Sequence, residues 1–127
     1  MIRVAVAGAA GRMGKTLIQA IGESDGLTLT AGFEYADHPR LGEDLGILCG
    51  LGPLGVGLSS DPQSQADDFD VVIDFTIPSA TLALAGVCSE KGKAMVVGTT
   101  GFDDQQTIAL EKFAKKTAIF VSPNMSV

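Results

Sequence analysis

The stretch VAVAGAAGRMG at residues 4–14 constrains this chain more than any other. A run of small apolar residues meets Gly8, Gly11 and Gly14, spaced three apart, and an amphipathic segment follows at once. Residues 3–7 read as a buried strand, and residues 13–21 place Met13, Leu17, Ile18 and Ile21 on one helical face. A strand that turns through glycines into a helix opens a βαβ unit.

The pattern then repeats. Residues 27–33 alternate apolar residues with threonine as a strand does, and FDVVIDF (69–75) and 94–97 are strands of near-continuous apolar type. Pro78 precedes a helix over 79–91 that Gly92 can terminate. Asp103 can cap a helix whose Ala109, Leu110, Phe113 and Ala114 share a face; residues 118–121 form the last strand, which Pro123 breaks. Residues 36–60 read as an irregular glycine-rich loop with a short strand at 56–58. Repeated βα units imply a doubly wound, Rossmann-like α/β fold with a parallel sheet, in one domain over residues 1–127.

Composition narrows the function classes. Hydrophobic residues make up 46% and charged residues 19%, enough apolar content for an ordered core. A net charge of −6 with dispersed cations argues against a nucleic-acid partner. Cys49 and Cys88 stand far apart without a CxxC or histidine pattern, so neither a disulfide framework nor a metal site is expected. The apolar start is too short for a signal-peptide core and no segment reaches the length of a membrane span. The expected setting is cytoplasmic, with no membrane partner.

Between a first strand and a first helix, the glycines stand where a dinucleotide-binding turn lies. Gly8 permits the turn, Gly11 lets backbone approach a pyrophosphate, and Gly14 lets helix pack on strand. The helix entrance then offers free amides and a partial positive charge to phosphate. Arg12 is unfavourable against that dipole unless an anion is present, which favours a phosphate ligand over the alternative of an ordinary solvated charge. Glu34 ends the second strand 20 residues after Gly14, where a carboxylate accepts from ribose hydroxyls and repels a 2′-phosphate.

Three further stretches, DFTIP (74–78), VGTTGF (97–102) and SPNMSV (122–127), occur in order after AVAGAAGRMG. Together they resemble the N-terminal half of the bacterial dihydrodipicolinate reductase family, along the whole chain. The resemblance implies hydride transfer from NADH or NADPH to a cyclic dicarboxylate imine on the diaminopimelate–lysine route, in an enzyme whose full-length members are homo-oligomers. It places Gly8, Ala9, Ala10, Gly11, Arg12 and Met13 around the pyrophosphate and Glu34 at the adenosine ribose. Phe75 and Thr76 line the cofactor, Gly98, Thr99 and Thr100 meet the nicotinamide side, and Ser122, Pro123, Asn124 and Met125 lie below it. Asp74 is expected to do no more than cap or brace a loop.

The chain departs from the family pattern in two places. Members that use both cofactors often carry arginine after the acidic residue; here Tyr35 brings no charge, which favours NADH, although Arg40 can compensate from the loop. The family continues into a substrate domain with a histidine-rich motif, which these residues lack. His38, the single histidine, sits in a His-Pro turn, so no catalytic residue is assigned. A stand-alone redox-sensing module and the cofactor domain of an aspartate or homoserine type dehydrogenase stay open as alternatives, because the fold alone hosts many functions.

Overall fold

The computed structural model describes residues 1–122. Among these residues six strands build one sheet: β1 Ile2–Ala7, β2 Leu27–Phe33, β3 Leu58–Ser59, β4 Val71–Asp74, β5 Ala94–Val97 and β6 Ile119–Val121. All five pairings are parallel, and the spatial order is β3-β2-β1-β4-β5-β6. The chain therefore builds outward from β1 to one edge, then restarts at β4 on the other side of β1. At that reversal the loops leaving β1 and β4 part, opening the crevice in which open α/β sheets hold ligands.

Strand periodicity assigns the two faces. Val4 and Val6 of β1 pack with Ile18 and Ile21 of α1 (Arg12–Glu23) and with Leu45 of α2 (Leu45–Leu48). Ala5 and Ala7 point the opposite way, into a cluster with Leu84, Ala85 and Cys88 of α3 (Pro78–Lys91) and Leu110 of α4 (Asp104–Ala114). Helices cover both faces, so Val4 to Ala7 of β1 and the whole of β5 read as unbroken apolar runs. Val4, Val6, Val72, Met95 and Val97 are each 2% exposed or less. Burying one such side chain is worth about 1.5–3 kcal/mol.

Helix ends follow local chemistry. Pro78 starts α3, and Gly92 ends it in the left-handed region at φ 69°. Asp103 and Gln106 close a reciprocal capping box at the start of α4. α1 enters without the proline of α3 or the capping box of α4: its N-cap is Gly11, which offers no side chain, and its first turn holds no acidic residue. The first-turn amides of α1 are left without a side-chain acceptor among the described residues.

One segment differs from expectation. Residues 36–60 are not wholly irregular: they contain α2, and the short strand is Leu58–Ser59 rather than 56–58. The organiser is Asp44, whose Oδ1 accepts from the amides of Gly46, Ile47 and Leu54 while Oδ2 accepts from Gly55. Those donors hold its carboxyl below the usual range, with the Leu54 amide contributing most. Cys49 and Cys88 are buried and unpaired, and burial pushes the Cys88 thiol up to about 12. Among the described residues no helix is long and apolar enough to cross a membrane, and no three potential ligands cluster as a metal site.

Candidate dinucleotide site

The glycine loop is built from backbone contacts. The amides of Gly8 and Ala9 both donate to the Phe33 carbonyl, at 2.9 and 3.1 Å, tying the end of β1 to the end of β2. Gly8 has φ 79°, a conformation that side chains with a Cβ rarely adopt. A Cβ at Gly14 would stand 2.8 Å from the Ala9 carbonyl oxygen and press on that of Gly8. Gly11 has no such internal reason. Its φ is −78°, and a Cβ there would meet only the Gly8 carbonyl, at 3.3 Å. The space beside Gly11 opens outward, beside the uncapped entrance to α1. Arg12 and Met13 are exposed at that entrance, and Arg12 makes no ion pair among the described residues.

Glu34 leaves the end of β2 and turns back over the loop, where its Oε2 accepts from the Ala10 amide at 3.0 Å. Its Oε1 receives no hydrogen bond from the described residues and is left for other donors. Gly8, Gly11, Glu34, Phe75 and Thr76 all line one cleft of about 580 Å³ at the carboxyl edge of β2, β1 and β4. The sequence reading missed its far wall, Ser60 to Gln63 after β3, and its floor on α3, including Ala83 and Val87. The only local signal for that wall is the turn chemistry of SDPQS: Asp61 Oδ1 accepts from the Ser64 amide at 3.2 Å.

The loops after β4 and β5 are joined. The Thr76 amide donates to Thr99 Oγ1 at 3.0 Å, and Thr81 Oγ1 of α3 donates to the same oxygen at 2.9 Å. Thr76 Oγ1 donates to Asp74 Oδ1 at 2.6 Å, the bracing contact expected of Asp74. A Cβ at Gly98 would lie 2.6 Å from Phe75 Cζ, so glycine at 98 lets the Phe75 ring close over β5. Gly98 and Thr99 are thus buried behind Phe75 and Thr76, while Thr100 is exposed. Ser122 is held by its amide to the Val97 carbonyl at 3.0 Å, and Pro123, Asn124 and Met125 lie outside the described residues.

With a parallel sheet ordered about β1, an uncapped helix entrance and a carboxylate beside it, the chain can be set against known proteins. The family model described as "Dihydrodipicolinate reductase, N-terminus" matches residues 2–125. The chain belongs to the dihydrodipicolinate reductase family. Within that family it is 44% identical over 127 residues to the 4-hydroxy-tetrahydrodipicolinate reductase of Chromohalobacter salexigens, covering 100% of this chain and 47% of the relative. The corresponding enzyme of Syntrophotalea carbinolica is 46% identical over 127 residues, with 48% of its length covered. A dipicolinate-bound dihydrodipicolinate reductase from Paenisporosarcina sp. TG-14 superposes with a TM-score of 0.76 at 26% identity, over 98% of this chain and 48% of that one.

The chain thus spans about half the length of the dihydrodipicolinate reductases it matches. Family membership decides against the aspartate or homoserine type dehydrogenase. A second recess, of about 380 Å³, lies beside Ala10 and is lined by Lys15, His38, Arg40 and Glu43. There the Arg40 guanidinium is already paired with Glu43 at 3.1 Å.

Proposed function

We propose that this chain is the nicotinamide-dinucleotide-binding part of a 4-hydroxy-tetrahydrodipicolinate reductase acting in the cytoplasm. The carrying observation is the entrance to α1, where amides without a side-chain acceptor among the described residues, a glycine whose space is open outward, and an arginine that none of those residues pairs converge on one place. Those groups suit a diphosphate. Gly8 to Met13 form the turn around it, with the free first-turn amides of Arg12 and Met13 and the Arg12 guanidinium as donors, and Glu34 Oε1 accepts from the ribose hydroxyls. Phe75, Thr76 and the exposed Thr100 form the side toward the nicotinamide, backed by Gly98 and Thr99, with Ser122 to Met125 assigned to the same side. When bound, the reduced cofactor supplies the hydride; this chain's residues grip, orient and shield it. The acceptor proposed is a cyclic dicarboxylate imine, held by residues other than those described. The full-length enzyme is proposed to be a homo-oligomer, with no nucleic-acid or membrane partner.

NADH is the favoured cofactor, with NADPH possible. A 2′-phosphate would approach the Glu34 carboxylate, Tyr35 is uncharged, and the charge on Arg40 is balanced by Glu43. Calorimetric titration is expected to give tighter binding of NADH than of NADPH, and Tyr35→Arg to close most of a gap of about tenfold. NMR shifts on adding NADH should centre on residues 8–14. Shifts centred elsewhere refute the site, and NADPH binding as tight as NADH refutes the preference.

A further inference from the structure

Asp74 ends β4 between Ala7 of β1 and Val97 of β5, and it is 0% exposed. It faces the α3 side, two residues on from Val72 in the same strand. Its Oδ1 holds the Thr76 hydroxyl, and its Oδ2 is buried with no hydrogen-bond partner among the described residues. No cation pairs with it among the described residues. A buried carboxylate with one bare oxygen and no counter-charge is costly, and a neutral acid in the same place costs far less. The Thr76 hydroxyl also lies 3.4 Å from that of Thr81, and Thr81 and the Thr76 amide both reach Thr99. Four side chains from β4, α3 and two loops therefore form one polar knot behind the cleft wall.

We propose that Asp74 is a positioning residue that works in its neutral, protonated form: through Thr76, Thr81 and Thr99 it locks the loops after β4 and β5 together, and ionising it loosens the wall against which the cofactor binds. The inference rests on the cofactor reading above and adds a proton to it. Burial raises the Asp74 carboxyl above the ordinary aspartate range, and the hydrogen bond from the Thr76 hydroxyl opposes that only in part. The sign follows: the contribution of this knot is complete at low pH and is lost as pH rises through the raised native value. A diphosphate at the glycine loop acts in the same direction, since anion and carboxylate repel. The other titratable groups lining the cleft are Glu34, Tyr35 and Asp61, and Cys88 of α3 is the remaining buried ionisable side chain near Asp74.

Asp74→Asn keeps the shape of the neutral acid and cannot ionise. Calorimetric titration with NADH from about pH 5 to about pH 9 then separates Asp74 from Glu34, Tyr35, Asp61 and Cys88, which both proteins share. The two should bind equally at the acid end, and the wild-type chain should fall behind Asp74→Asn by roughly tenfold at the alkaline end. Parallel profiles overturn this inference alone; a wild-type chain that binds no NADH at any pH overturns the cofactor reading as well. Should Asp74→Asn not fold, carboxyl-carbon NMR of the wild-type chain decides. The Asp74 signal should titrate above the exposed aspartates, and titration together with them overturns the inference.

Discussion

Replacing Gly14 by alanine is expected to destabilise the chain by about 3 kcal/mol or more, at the severe end for a single added methyl group. The added carbon would press on the carbonyls of Gly8 and Ala9, which are backbone atoms. That backbone cannot give way easily, because the amides of Gly8 and Ala9 are fastened to the Phe33 carbonyl on β2. Relief requires α1 to lift from β1, which opens the cluster of Val4, Val6, Ile18 and Ile21. Gly22, in the last turn of the same helix, has nothing within 4 Å of its Cβ position. Gly22→Ala should therefore stabilise by up to about 1 kcal/mol through helix propensity. Urea unfolding midpoints for the pair test the argument, and a Gly14→Ala midpoint near wild type defeats it.

The contrast between those glycines marks where the sequence is readable. Gly8 and Gly14 are legible because a strand, a turn and a helix are adjacent in sequence, so the contact that demands glycine is local. The buried strands are legible for a similar reason, since coverage on both faces writes itself as unbroken apolar runs. Asp44 is not legible. Two of its four amide donors, Leu54 and Gly55, lie 10 and 11 residues ahead, and only the folded loop brings them to the carboxylate. Without that closure the four residues of α2 have no reason to coil. Thr81 likewise reads as one more helix residue until β5 delivers Thr99 to it across 18 positions. Gly98 shows a third limit: the family motif marks it for cofactor, while its packing shows an independent reason for glycine in the Phe75 ring. Motif spacing reports that a residue matters; only the neighbours say to what.

Gly11 offers the complementary case, because there fold and ligand make opposite demands. Gly11→Asp should leave stability unchanged or raise it, since aspartate is among the best N-cap residues and α1 starts with none. The modest crowding of its Cβ against Gly8, at 3.3 Å, offsets part of that gain. The same carboxylate would take up the first-turn amides of α1 and set a negative charge where the diphosphate is proposed to bind. Losing charge-assisted hydrogen bonds and adding like-charge repulsion costs about 3 kcal/mol, so NADH affinity should drop by roughly 100-fold or more. A melting temperature at or above wild type with binding lost is the expected pair of results. Because the variant is as stable as its parent, the lost affinity cannot be assigned to unfolding. Retained NADH binding by a folded Gly11→Asp chain means that the phosphates do not sit at the entrance to α1, and the proposed site is then wrong.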